Sequence, residues 1–125
     1  MLMRAAVLQM VSSDDVAENL CTAAGLIADA VSEGAQLLVL PENFGFMGRR
    51  EADKLAVAET AGSGPQQDFL AEQAAKNGIW LVGGTLPIKA DKDHVYAASF
   101  VHGPQGQVAA RYDKIHLFDV SLPAG

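Results

Sequence analysis

The sequence predicts a mixed α/β fold in which helices cover the strands of a sheet. Three observations carry that prediction: short apolar runs alternate with amphipathic helical segments, one run packs consecutive aliphatics together, and the rhythm turns strand-to-strand near the end.

Taken in order, Arg4 to Met10 is a short apolar run closed by turn-like Ser12 and Ser13. From Asp14 the period changes. Val16, Leu20, Ala23, Ala24, Ile27 and Val31 recur at three- and four-residue spacings, the apolar stripe of a helix. Asp15 followed by Glu18 resembles a capping arrangement, and Gly34 sits where a C-terminal cap belongs. Ala35 to Leu40 ends in consecutive large aliphatics that alternation cannot explain, which predicts a strand buried on both faces. Pro41 has no N–H to donate and ends the ladder, leaving Glu42 at the strand's C-terminal edge, where open α/β sheets bind ligands. A Gly-rich stretch with Phe44 and Phe46 follows, then a short helix over Glu51 to Glu59.

Ser63-Gly64-Pro65 opens another helix, with proline suited to its first turn. Phe69, Leu70, Ala74 and Ala75 form its buried face, and Asn77-Gly78 closes it. Ile79 to Val82 reads as a third strand entering Gly83-Gly84. Val95 to His102, the turn Gly103-Pro104-Gln105-Gly106 and Val108 to Tyr112 then make a hairpin. No repeat or linker interrupts this order. The chain is one domain or part of one.

Composition narrows the function. With 9 Lys+Arg against 15 Asp+Glu, the net charge of −6 repels a phosphate backbone, and the one close basic pair, Arg49-Arg50, runs straight into Glu51. Neither nucleic acid nor an anionic membrane is an expected partner. A single cysteine excludes an internal disulfide and fits a reducing compartment. The apolar N-terminus is too short for a membrane span and carries no cleavage pattern, so a cytoplasmic location is expected. His94 and His102 read as lacking ligand spacing and acidic neighbours, so no metal is expected. Gly83-Gly84 and Gly62-x-Gly64 match no phosphate loop; they read as tight backbone positions, and no cofactor is implied. Phe44, Phe46 and Trp80 read as core or pocket wall.

Three segments stand out together: Leu40-Pro41-Glu42-Asn43-Phe44, Gly83-Gly84-Thr85, and Arg111-Tyr112-Asp113-Lys114-Ile115-His116-Leu117-Phe118. In this order and at these separations they resemble the nitrilase superfamily of carbon–nitrogen hydrolases. The Gly-Pro-x-Gly hairpin turn and the Asp119-to-Pro123 run are similar to that family's too. One departure is Tyr96-Ala97-Ala98-Ser99, where many relatives carry an asparagine.

The resemblance implies a four-layer α-β-β-α sandwich of about twice this length. Residues 1–125 would supply its first half, the N-terminal portion of one domain, with enough strands to begin both sheets. It also implies a Glu-Lys-Cys triad. Position by position, Glu42 becomes the general base and Lys114 the cation, with His116 in a supporting role. The chemistry agrees, because only a few per cent of a free thiol is thiolate at neutral pH, and a base must take its proton. A fixed cation is then needed where the oxyanion develops. In an extended segment Lys114 and His116 point one way, and Ile115 and Leu117 the other.

The family's cysteine lies downstream of the lysine segment, past Gly125. Cys21 sits mid-helix and reads as a small buried residue, not the nucleophile. The expectation is therefore a fragment of a hydrolase of small linear amides, inactive alone and a homo-oligomer when complete. It looks most like the branch with deaminated glutathione amidases and omega-amidases. The rival reading is a short non-catalytic binding or regulatory module completed by a partner chain.

Overall fold

A computed structural model describes residues 2–50, 52–114 and, by backbone alone, 118–119. The elements run β1 (Ala5–Val7), α1 (Val16–Ser32), β2 (Leu37–Val39), α2 (Asp53–Val57), α3 (Pro65–Asn77), β3 (Trp80–Val82), β4 (Leu86–Asp91), β5 (His94–His102), β6 (Val108–Asp113) and β7 (Phe118–Asp119).

The first helix forms as its pattern requires. Asp15 accepts a hydrogen bond from the Glu18 backbone N–H at 3.0 Å, filling one of the donors a helix start leaves open. At the other end Gly34, at φ 90°, turns the chain, and its N–H returns to Val31. Ala23 and Ile27 are fully buried on the expected stripe, and Val16, Leu20, Ala24 and Val31 flank them half-buried. Burying a side chain such as Ile27 is worth about 1.5–3 kcal/mol. Cys21 departs from expectation. It is exposed, because two residues along a helix is about half a turn, which carries it off the stripe set by Ala23.

In α3, Pro65 occupies the first turn, and Gly78 closes the helix in the left-handed region at φ 62°. Its buried face is Gln66, Gln67, Leu70 and Ala74; Phe69 is half-buried and Ala75 exposed, against the sequence expectation for the latter. The two glutamines go inside because the buried Glu59 carboxylate accepts the N–H groups of Gln66 (2.7 Å) and Gln67 (3.1 Å), capping the helix from outside.

Strands β1, β2 and β3 are parallel, with Ala6, Leu38 and Leu81 in one register row. The rest turn antiparallel on β5. One edge of β5 carries β4 at residues 94–98 and β3 at 101–102; its other edge carries β7 and then β6. All described strands thus join one sheet, where the sequence suggested the beginnings of two. The strand β4 was not foreseen. Pro87 interrupts its pattern and is accommodated opposite Ala97.

The faces of the sheet differ. Leu38, Leu81 and Phe100 share a core with Ala23 and Ile27 of α1 and Leu70 and Ala74 of α3. Neighbours on the opposite face stay exposed or half-buried: Val7 is 77% exposed, Trp80 37% and Tyr112 60%, with Val39, Val82 and Val101 half-buried between. Trp80 is therefore on the open face, whereas Phe44 and Phe46 are core. No described helix is long and apolar enough to cross a membrane.

Candidate active site

The site starts where β2 runs out. Leu40 still donates to Val82 at 2.9 Å; Pro41 then ends the pairing and the chain turns through Glu42. Asn43 takes the left-handed conformation at φ 55°, uncommon outside glycine but tolerated best by Asn and Asp. The residues that follow are tied down one by one. Asn43 N–H donates to the Thr85 hydroxyl (3.0 Å), the Ser12 hydroxyl donates to the Phe44 carbonyl (2.8 Å), and Asn19 Nδ2 donates to the Gly45 carbonyl (2.9 Å). Met47 N–H closes onto Ser13 at 2.8 Å, and the Phe44 ring is fully buried. Glu42 itself stays open, its side chain 60% exposed.

Lys114 arrives from the far side of the sheet. Strand β6 lies along β5 with Tyr112 opposite Ser99 and Asp113 opposite Ala98, and Lys114 N–H extends the ladder to the Ala97 carbonyl at 3.1 Å. Alternation along the strand puts the Lys114 side chain on the face of Tyr112, the open one. There its Nζ forms an ion pair with Glu42 Oε1. Lysine and glutamate are 37% and 60% exposed, and a pair so wet contributes only about 0–1 kcal/mol to stability. The pair is not needed to hold the fold.

Two further features bound the place. Gly83 and Gly84 are tight, as expected: a Cβ on Gly84 would overlap the Pro41 carbonyl, and one on Gly83 would press on Leu70. A largely apolar groove lined by Val7, Leu8, Met10, Val39, Leu40 and Pro41 runs to the start of the Glu42 turn.

Cys21 is not part of this arrangement, because α1 packs on the opposite face of the sheet from Lys114. The lysine's expected partner in alternation, His116, lies outside the described residues with Ile115 and Leu117, as do Val120 to Gly125. His94 does have an acidic neighbour, contrary to the sequence reading: Asp91 lies 2.7 Å from its Nδ1 across the β4–β5 turn. Among the described residues, no group of three or more His, Cys, Asp or Glu side chains could hold a metal ion. His102 is buried with Nδ1 unpartnered, and burial lowers its pKa below the ordinary 6.5.

Sequence reasoning missed Asn19, Asn43 and Thr85 as the props of the Glu42 turn. The polar Asn19 within an apolar stripe was a usable signal; Asn43 and Thr85 stood within the segments that carry the resemblance, but their pairing is visible only in the fold.

Residues 4–125 match the profile of the Carbon-nitrogen hydrolase family. The chain is 41% identical over 123 residues to a deaminated glutathione amidase of Synechocystis sp., covering 97% of this chain and 44% of that protein. It is 37% identical to the omega-amidase NIT2 of Danio rerio, covering 96% of this chain and 42% of the other. It thus spans less than half the length of these relatives. Among solved structures it superposes on Nit3 of Saccharomyces cerevisiae, a member of the nitrilase superfamily, with TM-score 0.81, 28% identity, and coverage of 98% of this chain and 49% of that one. An amidase from Nesterenkonia sp. matches with TM-score 0.80 and 28% identity, covering 98% of this chain and 48% of its own.

Proposed function

The chain belongs to the carbon-nitrogen hydrolase family, and on that premise we propose that Glu42 and Lys114 are the general base and the cation of a small-amide hydrolase. The observation that carries this reading is the ion pair from Lys114 Nζ to Glu42 Oε1 at the end of β2. Two side chains distant in sequence meet there on an open face, in a contact that stability does not require.

In this reading the nucleophile is a cysteine in the part of the enzyme that the relatives' greater length represents. In a Glu-to-Gln mutant of the Nesterenkonia amidase, acrylamide has undergone Michael addition at the active-site cysteine. Glu42 takes the thiol proton, and the thiolate attacks the amide carbonyl carbon. Lys114 faces the oxyanion that forms on the carbonyl oxygen. Collapse breaks the carbon–nitrogen bond, the proton held by Glu42 passes to the departing amine, and a thioester remains. Water, deprotonated by the same carboxylate, attacks the thioester carbon; the carbon–sulfur bond breaks, the acid leaves, and the proton on Glu42 returns to the thiolate.

A second sheet laid over Val7, Val39, Val82 and Trp80 would complete a four-layer sandwich and dry the pair, which strengthens its electrostatics. The relatives named deaminated glutathione amidase and omega-amidase point to small linear amides as substrates. A cytoplasmic homo-oligomer belongs to the same reading, supported by that resemblance.

The test uses the full-length protein that contains this chain. Glu42→Gln and Lys114→Met should each lower kcat/KM on a simple amide by about a hundred- to a thousand-fold, while Cys21→Ser leaves it unchanged. Full activity in either site variant would overturn the assignment.

A further inference from the structure

We propose that Thr85 is a positioning residue that sets the Glu42 carboxylate against Lys114; this rests on the proposed function above. Lys114 and Thr85 share an anchorage on β5. Lys114 hangs on β5 through its N–H to the Ala97 carbonyl. Thr85 immediately precedes Leu86, which pairs with the next residue of the same strand, Ala98. The Thr85 hydroxyl then reaches over to accept the Asn43 N–H at 3.0 Å, directly after Glu42. Neighbouring positions on β5 therefore locate both ends of the ion pair, the lysine directly and the glutamate through Thr85.

The surroundings leave this link little play. Thr85 is 6% exposed and enters from Gly84, whose φ of 59° and close approach to Pro41 admit no side chain. Asn43 holds a left-handed conformation at φ 55° that costs free energy unless its neighbours impose it. Of the hydrogen bonds tying down the turn, the two on Asn43 are nearest in sequence to Glu42: its N–H donates to Thr85, and its carbonyl accepts from Phe46 N–H at 3.3 Å within the turn itself, while the others grip residues further on. Without the hydroxyl, Asn43 keeps only the bond from Phe46 inside the turn and loses its tie to the residue that leads into β4, so its strained conformation is less firmly imposed and the carboxylate shifts with it. Substrate contacts elsewhere are untouched, so the loss should fall on the chemical step.

The experiment compares Thr85→Val and Thr85→Ser in the full-length protein, with kcat and KM measured on a simple amide and melting followed in parallel. Thr85→Val should lower kcat on the order of ten- to a hundred-fold with KM little changed, as a misplaced catalytic group does. Thr85→Ser, which restores the hydroxyl, should recover most of kcat. If Thr85→Val loses its cooperative melt, Thr85→Ala removes the hydroxyl without a second methyl and enters the same comparison. Unchanged kcat in the folded hydroxyl-less variant, or failure of serine to recover it, overturns the positioning role. Glu42→Gln separates the two claims. If that variant stays active, the base assignment fails first; if it is inactive while Thr85→Val is unaffected, only the role of Thr85 falls.

Discussion

Gly84 packs so closely against the Pro41 carbonyl that a Cβ there would overlap the oxygen. The contact joins the strand end that carries Glu42 to the crossing from β3 to β4. Gly84→Ala should be destabilising twice over, by overlap and by placing a Cβ at φ 59°, where the conformation alone costs roughly 1–2 kcal/mol. Thermal melting of the full-length variant should show a loss above that amount, together with reduced amide turnover.

Asn19 spends its whole amide on the Glu42 turn's supports. Its Nδ2 donates to Ser13 (2.8 Å) and Gly45 (2.9 Å), and its Oδ1 accepts from Ser13 N–H (2.9 Å). Asn19→Ala takes the partner from the buried Gly45 carbonyl and the half-buried Ser13 N–H, while the Ser13 carbonyl keeps Met47 N–H, at a cost of about 1–3 kcal/mol. Urea unfolding should give that difference; a variant as stable as the parent would mean that the turn is held elsewhere.

His102 makes stability depend on pH. Burial disfavours its charged form and lowers its pKa below 6.5 in the folded chain. Below pH 6.5 the unfolded chain therefore binds more protons than the folded one, and stability is lost as pH drops, until the lowered folded value is passed. Above pH 6.5 both forms are neutral and the effect vanishes. Asp53 and Asp91 have carboxyls held below the ordinary 3.8, Asp53 first by the Arg50 backbone N–H and Asp91 first by that of Asp93. They act in the separate window at and below that value. His102→Leu should flatten the dependence just below pH 6.5, as read from denaturant midpoints, and leave the acid limb in place.

Residues 1–125 on their own should hydrolyse no simple amide, because Cys21 is on a helix across the sheet from the Glu42–Lys114 pair. Thiol-dependent turnover by this polypeptide, abolished by Cys21→Ser, would contradict that placement.

Local pattern made α1, α3 and the β5–β6 hairpin legible in the sequence, since caps, periodicity and turn residues all act within a few positions of one another. Glu42 and Lys114 were picked out by resemblance; that they meet is a product of the sheet, and their roles remain the proposal above. What escaped depends on non-local partners. Pro87 masked β4, whose place is set by β5. Glu59 drew Gln66 and Gln67 inward, so that Ala75, on the apolar pattern, faces out. The exposure of Cys21 was readable from helical phase, but its common burial elsewhere suggested the opposite. Thr85 gains its importance from Asn43, far away in the chain.

The central claim is that Glu42 and Lys114 act as one unit. The most direct measurement is a double-mutant cycle in the full-length protein, with Glu42→Gln and Lys114→Met alone and combined, read as kcat/KM on one amide. Each single variant should lose about a hundred- to a thousand-fold, and the double variant little more than either, as residues that act as a unit behave. Losses that multiply, or a single variant within a few-fold of the parent, would contradict it.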